Sequence, residues 1–167
     1  MTDPRRELIA SLEATLPETR AGLPEDVLQF VSRLTPLVNV DLLIQDDRRR
    51  TLLTWRDDER FGAGWHVPGG LIRLKERASV RIRACAREEL GADVESDAGP
   101  IFVLEGISEE PTRGHHVSLL YRCRLLGPPD QSRCAASDPP RAGQWRWHDR
   151  CPPDLLREQA AYARFIG

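Results

Sequence analysis

Apolar residues recur along the chain with helix-like and strand-like spacings, which divide it into predicted elements. Residues 76–90 contain no glycine or proline and are followed by Gly91, which predicts a helix with a C-terminal glycine cap. Short apolar runs bounded by turn residues predict strands. The other predicted helices cover residues 4–16, 24–34 and 153–165, and the predicted strands cover residues 37–44, 51–55, 65–67, 101–107, 117–125 and 144–147. This order predicts one α/β domain with a mixed sheet and helices packed on it.

The composition is that of a globular protein. The chain has 167 residues, of which 40 % are hydrophobic and 30 % are charged, enough for one well-buried core. The formal net charge of −2 provides no overall basic field, so we expect neither nucleic acid nor a membrane as a partner. The four cysteines show no paired spacing, and residues 1–20 contain no signal-like apolar stretch. We therefore expect a reduced, cytoplasmic protein.

One carboxylate falls on the apolar side of the predicted helix 76–90. At about 100° per residue, Ala78, Ile82 and Ala86 form an apolar stripe, and Glu89 lies within it. A carboxylate on a packed face is unfavourable unless a cation or hydrogen bonds compensate for it. Glu88 lies at the edge of the stripe, and a bound Mg²⁺ or Mn²⁺ would relieve both the burial and the repulsion between the two carboxylates. The alternative is a solvated pair near a frayed helix end.

A glycine pair precedes the same helix. Gly69 and Gly70 permit positive φ and bring bare backbone close to a ligand or a metal. Glu76 follows Gly70 after five residues, and residues 87–91 complete the unit. This combined spacing is far more specific than a lone pair of glycines or of glutamates.

The spacing resembles the signature of the Nudix hydrolase family, which is Gly, five residues, Glu, seven residues, then Arg-Glu-(aliphatic)-x-Glu-Glu-x-Gly-(aliphatic). The chain keeps Gly70, Glu76 and both terminal glutamates, but Ala84 replaces the signature arginine and Cys85 replaces the first metal-binding glutamate. The resemblance implies a Nudix α/β/α sandwich with a mixed β-sheet. It would comprise residues 23–167, preceded by an N-terminal helical extension in residues 1–22.

The resemblance extends to one branch of the family, the GDP-mannose mannosyl hydrolases, which release the nucleoside diphosphate from the anomeric carbon of the sugar. The matching stretches are residues 35–41, 52–56, 64–70 and 114–119. The resemblance implies that Asp41, Arg56 and His115 contact a nucleotide substrate. It also implies a homodimer, for which the apolar residues of the predicted helix 24–34 would provide the interface.

In that branch the last signature glutamate, a loop glycine carbonyl and a glutamine near the C-terminus hold a metal ion. The matching residues are Glu89, Gly69 and Gln159, with Mg²⁺ or Mn²⁺ as the implied cofactor. We expect Glu88 to share the metal, and we expect both glutamates and His115 to be catalytic.

The general base is open, because Ala160 stands where the branch has its histidine. The candidates are Glu88, His115, His116, Glu109 and Glu110. Three functions therefore remain: a metal-dependent hydrolase of a nucleotide sugar or related nucleoside diphosphate derivative, a pyrophosphohydrolase of nucleoside di- or triphosphates, and a catalytically weak Nudix-fold binding module.

Structural roles are also expected for several of these residues. Asp41 could cap a turn or pair with a buried arginine, and Glu76 is expected to order the loop and the helix start rather than bind metal. Cys85 is expected to be a packing residue, and Trp145 and Trp147 are expected to share a face of their strand and pack in the core.

Overall fold

The computed structural model describes residues 3–18 and 22–167, and two β-sheets form the centre of this part of the chain. The α-helices are α1 (Pro4–Thr15), α2 (Glu25–Ser32) and α3 (Ala78–Leu90). The strands are β1 (Leu37–Ile44), β2 (Thr51–Asp58), β3 (Gly62–His66), β4 (Gly69–Leu71), β5 (Val94–Ser96), β6 (Phe102–Ile107), β7 (His115–Leu125) and β8 (Trp145–His148). Among residues 3–18 and 22–167, 3₁₀ helices cover Gln131–Arg133 and Arg157–Phe165.

The larger sheet is mixed, as the sequence predicts. Its strand order is β4-β1-β7-β5, and β6 also pairs with β7. Strands β1 and β7 are parallel, while the other pairs are antiparallel. The smaller sheet has the order β3-β2-β8 and is antiparallel throughout. The α/β class and the mixed sheet are confirmed.

Alternation along β1 creates a core on each side of the sheet. Val40, Leu42 and Ile44 belong to the cluster that contains the buried face of α3, whereas Leu43 belongs to a second cluster. The C-terminal 3₁₀ helix contributes Tyr162 to this second cluster. Both expected tryptophans pack in the first cluster, Trp145 within it and Trp147 against it. The arrangement is a layer of sheet between two helical layers.

Two short strands and one helix type differ from the prediction. Strands β4 and β5, of three residues each, were not predicted because so short a segment shows no alternation. The predicted α-helix 153–165 is wrong, since this segment begins at Arg157 and has 3₁₀ geometry. Helix α3 begins at Ala78 rather than at Glu76. These differences leave the layers unchanged.

The predicted N-terminal extension is only partly described, since residues 1, 2 and 19–21 lie outside the described residues. Within it, Asp3 caps α1 by accepting a hydrogen bond from the backbone N–H of Arg5, and no residue of α1 is buried. No helix among the described residues combines the length and the apolar character needed to cross a bilayer.

Candidate active site

The residues that flank helix α3, Glu76 before it and Gly91 after it, have the roles that the sequence predicts. The Glu76 carboxylate accepts a hydrogen bond from the backbone N–H of Arg73 at 2.9 Å, which confirms its expected role in ordering the loop. At the other end Gly91 adopts the left-handed conformation, with φ of 62°, and terminates the helix as predicted. Cys85 is buried in the core on the sheet side of α3, as expected for a packing residue.

Glu89 lies beside Cys85 on the same side of α3, and its carboxylate reaches the glycine loop. One oxygen accepts the backbone N–H of Gly69 at 2.8 Å, and the other accepts the Thr54 hydroxyl at 3.0 Å. The side chain is 24 % exposed. Desolvation raises the pKa of Glu89 to about 7, although these two hydrogen bonds and the charge of Arg56 oppose the increase. The carboxylate is therefore held against the loop and is not a solvated residue at a frayed end.

Gly69 separates Glu89 from a second carboxylate. A Cβ at Gly69 would overlap with the Asp41 carboxylate and with the carbonyl oxygen of Val40, so only glycine allows this approach. Neither Gly69 nor Gly70 has positive φ, so the fold does not use this freedom of the glycine pair, whereas the expected close approach is present.

Asp41 is buried on the opposite face of β1 from α3. Its carboxylate accepts a hydrogen bond from the Tyr162 hydroxyl at 2.6 Å. Burial raises the pKa of Asp41 to about 6, opposed by hydrogen bonds from Tyr162 and Ser118 and by the charge of Arg56. Asp41 also raises the pKa of Glu89, because the two carboxylates repel each other. Two carboxylates with raised pKa values thus flank one glycine.

The backbone of Gly69 faces away from the neighbouring strand. On β1 and the strand beside it, Leu42 N–H donates to Pro68 O and Ile72 N–H donates to Val38 O. Hydrogen-bonded and non-hydrogen-bonded pairs alternate along an antiparallel ladder, so the pair of Asp41 and Gly69 is a non-hydrogen-bonded one. The N–H and the carbonyl of Gly69 both point away from β1. Since the N–H reaches Glu89, the carbonyl is directed to the same side.

Arg56 shares a cleft with Glu89. The guanidinium carbon of Arg56 lies 4.9 Å from the centre of the Phe61 ring, and its Nε is 3.5 Å from the Asp58 carboxylate. The cleft has a volume of about 420 Å³ and is lined by Thr54, Trp55, Arg56, Asp57, Asp58, His66, Gly69, Glu88, Glu89, Arg133, Ala142 and Gly143. A phosphate group bound in this cleft could accept hydrogen bonds from the guanidinium of Arg56, and it would lie in the same cleft as the Glu89 carboxylate.

Two residues of this cleft that lie close to the Glu89 carboxylate, Thr54 and His66, were not predicted. His66 Nε2 lies 3.0 Å from the Thr54 hydroxyl and 3.9 Å from Glu89, and His66 Nδ1 lies 3.0 Å from the carbonyl of Val67. A carbonyl only accepts, so Nδ1 carries the proton and Nε2 is the acceptor. Burial and the charge of Arg56 lower the pKa of His66 to about 4, which keeps the ring neutral. The Thr54 hydroxyl therefore lies between two acceptors and can donate its one proton to only one of them at a time, Glu89 or His66 Nε2.

Glu88 lines the mouth of the same cleft with a different set of partners. Its side chain is 53 % exposed, and one carboxylate oxygen lies 2.5 Å from a guanidinium nitrogen of Arg81. The other oxygen is 3.9 Å from a guanidinium nitrogen of Arg73. Unlike Glu89, Glu88 is thus already paired with cationic side chains.

Gln159 lies on the backbone next to the glycine loop. Its side-chain oxygen accepts the Val67 N–H at 2.6 Å, and its side-chain nitrogen donates to the Val67 carbonyl at 3.3 Å. The amide therefore continues the strand edge just before Pro68 and Gly69, and a metal would have to share its oxygen with Val67.

His115 does not reach the cleft that contains Glu89 and Arg56. It begins β7, where its Nε2 lies 3.4 Å from the Glu105 carboxylate. The other candidate bases outside helix α3, His116, Glu109 and Glu110, are likewise absent from the lining. Of the candidates for the base, only Glu88 lines the cleft.

A comparison with known protein families shows to which family the chain belongs. A family model for the NUDIX domain matches residues 35–165. The chain belongs to the Nudix family. A Nudix relative of known structure, the MutT hydrolase of Burkholderia pseudomallei, is 22 % identical with a TM-score of 0.62, over 80 % of this chain and 99 % of that one. A possible asymmetric diadenosine tetraphosphate hydrolase of Jonesia denitrificans is 20 % identical with a TM-score of 0.62, over 79 % of this chain and 92 % of that one.

A curated relative resembles only part of this Nudix chain. The low-salt glycan biosynthesis protein Agl8 of Haloferax volcanii is 37 % identical over 82 residues, which are 49 % of this chain. The match spans 51 %, about half, of the relative's own length.

Nudix hydrolases generally use divalent metal ions, and the residues around Gly69 are suited to one. No group of three or more His, Cys, Asp or Glu side chains in the described ranges is arranged to hold a metal. Mg²⁺, however, is commonly bound through one or two carboxylates, with water and substrate phosphates completing the shell. The Glu89 carboxylate, hydrogen-bonded through each oxygen only once, retains free lone pairs, and the carbonyl of Gly69 faces the same side.

Proposed function

We propose that this Nudix chain is a Mg²⁺- or Mn²⁺-dependent hydrolase of a nucleotide sugar or another nucleoside diphosphate derivative. The observation that carries the proposal is the shared cleft of Glu89 and Arg56, in which a carboxylate with a raised pKa faces a guanidinium beside the glycine loop. Glu89 and the carbonyl of Gly69 would hold the ion, and Gln159 would contribute its side-chain oxygen. When bound, the ion would neutralise charge that develops on the departing diphosphate.

In this proposal the residues of the chain bind and orient the substrate. The planar guanidinium of Arg56 donates hydrogen bonds to phosphate oxygens. The ring of Phe61 packs against this guanidinium and restricts its orientation. Asp41 supports Gly69 from the other side. Glu88, which lines the mouth of the cleft and is paired with Arg81, is the candidate that would accept a proton from water.

A sugar-bearing substrate is favoured by the relative named for glycan biosynthesis and by the stretches that resemble the mannosyl hydrolases. We propose the cleavage of a bond at or near the anomeric carbon. Hydrolysis in ¹⁸O-labelled water tests this position, because attack at the anomeric carbon places the label in the free sugar, whereas attack at phosphorus places it in a phosphate group of the nucleotide or of the sugar phosphate. Label found in a nucleoside monophosphate would favour the pyrophosphohydrolase instead.

The experiment that tests the function is a screen of GDP-, UDP-, CDP- and ADP-sugars and nucleoside triphosphates with Mg²⁺ or Mn²⁺. We expect Glu89→Gln to lower turnover at least about 100-fold, since it removes charge next to the ion. The matched control is Glu95→Gln, because Glu95 forms only an exposed ion pair with Arg124 and its loss should be nearly neutral. Equal activity of the Glu89 variant and the wild-type protein would refute the metal site. If no substrate turns over but a nucleotide raises the melting temperature, the binding module is favoured.

We also propose a cytoplasmic homodimer. Helix α2 exposes Phe30, and the residue Leu34 beyond its end is also exposed, as suits an interface. All four cysteines are free, as suits a reducing compartment. Sedimentation at micromolar concentration tests the assembly, and a monomer would refute it.

A further inference from the structure

Arg81 is a buried cation in the part of α3 where the Nudix signature carries metal-binding carboxylates. Its side chain is only 6 % exposed, and its Nε lies 3.2 Å from Cys85 Sγ, one turn further along the helix. A terminal nitrogen lies 2.5 Å from the Glu88 carboxylate. One guanidinium thus spans two positions of the signature, the substituted one at Cys85 and the retained one at Glu88.

The glycine loop closes over this guanidinium. A Cβ at Gly70 would lie 2.9 Å from Cys85 Sγ and 3.4 Å from two nitrogens of Arg81, so the bare backbone of Gly70 packs on both side chains. The charged group therefore lies directly beneath the loop, whereas Glu89 contacts Gly69, the preceding residue.

Packing alone does not explain an arginine at this position. The second terminal nitrogen of Arg81 is buried, and in the part of the chain that the structure describes it has no hydrogen-bond partner. A buried donor without an acceptor is unfavourable, and so is a buried charge that is only partly paired. An apolar residue would fill the same space without either cost. An apolar residue, however, would not place a positive charge beneath the loop, as the guanidinium of Arg81 does.

We propose that Arg81 takes the place of a metal ion at Glu88, so that this chain can bind a divalent cation through Glu89 but not through Glu88. Burial of a glutamate at position 85 would require a cation to neutralise it, whereas the Cys85 thiol leaves room for the guanidinium. Arg81 then holds the Glu88 carboxylate at the mouth of the cleft. It is a positioning residue, since it acts through Glu88. This inference rests on the proposed function only for the ion at Glu89.

The test is to count the Mn²⁺ ions bound per chain from the electron paramagnetic resonance signal of free Mn²⁺. The double variant Arg81→Met/Cys85→Glu frees Glu88 and restores a signature carboxylate, and we expect it to bind one ion more than the wild-type protein. The matched control is Arg87→Met/Cys85→Glu. It makes the same change in charge but removes the exposed Arg87, which pairs with Asp93, and we expect no additional ion. An equal count for the wild-type protein and the Arg81 double variant overturns the proposal.

A second variant keeps the inference testable if the Arg81 double variant does not fold. Glu88→Gln in the wild-type background should leave the Mn²⁺ count unchanged, and the loss of an ion would show that Glu88 is a ligand despite Arg81. Glu89→Gln tests the proposed function separately. If the wild-type protein binds no Mn²⁺ and the Arg81 double variant binds one, the ion at Glu89 is refuted while the role of Arg81 stands.

Discussion

At the residue scale, the site depends on what can approach Gly69. Its N–H contacts one carboxylate, Glu89, while the position of its missing Cβ is filled by a second, Asp41. Each carboxylate is desolvated, and the charge of Asp41 further raises the cost of ionising Glu89. Because the side chain of Gly69 is a single hydrogen atom, both carboxylates can pack against this residue.

We expect Gly69→Ala to destabilise the protein by about 1–3 kcal/mol, because the new methyl group overlaps with the backbone oxygen of Val40 as well as with Asp41. β4 would have to move away from β1, which would also weaken Mn²⁺ binding. Urea denaturation and a Mn²⁺ titration measure the two effects. Gly99→Ala is the control, because nothing lies near a Cβ at that position. Equal stability of the two variants would contradict the packing argument.

The residues that were predicted and those that were missed differ in the kind of signal they leave. Glu89 is recognisable because a carboxylate interrupts an apolar stripe. Thr54 and His66 were missed, although Thr54 alternates with Arg56 and Asp58 along β2 and this polar face was a usable signal. Arg81 leaves no such signal, since only the fold shows that its charge turns inward.

At the element scale, the C-terminal 3₁₀ helix contributes two side chains that hydrogen-bond to the segments forming the site. Tyr162 is fully buried and donates to Asp41, while Gln159 bonds to both backbone groups of Val67. This helix therefore fixes both the strand that carries Asp41 and the entry to the glycine loop.

We expect Tyr162→Phe to cost about 1–3 kcal/mol, because the buried Asp41 carboxylate loses a donor. The pKa of Asp41 should rise further, so the loss should be greater at pH 8 than at pH 5. Urea denaturation at both values measures it. Tyr121→Phe is the control, since Tyr121 is also buried but belongs to the cluster on the α3 side of the sheet, away from Asp41. A loss that is independent of pH would contradict the role of the carboxylate.

Elements were predictable where the side-chain pattern extended over several turns or residues. The boundaries of β1 match the prediction, because its apolar run lies between clear turn signals. The last helix was assigned the wrong type, since its apolar positions suit α and 3₁₀ geometry equally and tertiary contacts such as that between Tyr162 and Asp41 decide between them. The pairing of Gly69 with Asp41 likewise depends on contacts between distant segments.

At the scale of the whole molecule, the buried acids set how stability varies with pH. The usual pKa of Glu89 is 4.5 and its value in the fold is about 7, so between these values the folded chain holds a proton that the unfolded chain has released. Asp41 acts in the same direction between 3.8 and about 6. Both contributions are present at low pH and are lost as the pH rises through the folded values.

We expect the free energy of unfolding in EDTA to fall between pH 5 and pH 8, with a contribution from Glu89 on the order of 3 kcal/mol at most. Glu89→Gln should flatten the curve above pH 6, because the contribution of Asp41, whose pKa is about 6, is mostly lost below that range. Mn²⁺ added at pH 8 should restore stability to the wild-type protein and not to this variant. Parallel curves for the two proteins would contradict the raised pKa of Glu89.

The last residues of the chain are attached to the interior rather than trailing from it. The backbone N–H of Gly167 donates to the hydroxyl of Thr51, and Gln45 donates to the carbonyl of Phe165. An affinity tag fused directly after Gly167 would be expected to disturb these hydrogen bonds and the segment that carries Tyr162. An extension at the amino end is expected to disturb the fold less, because no residue of α1 is buried.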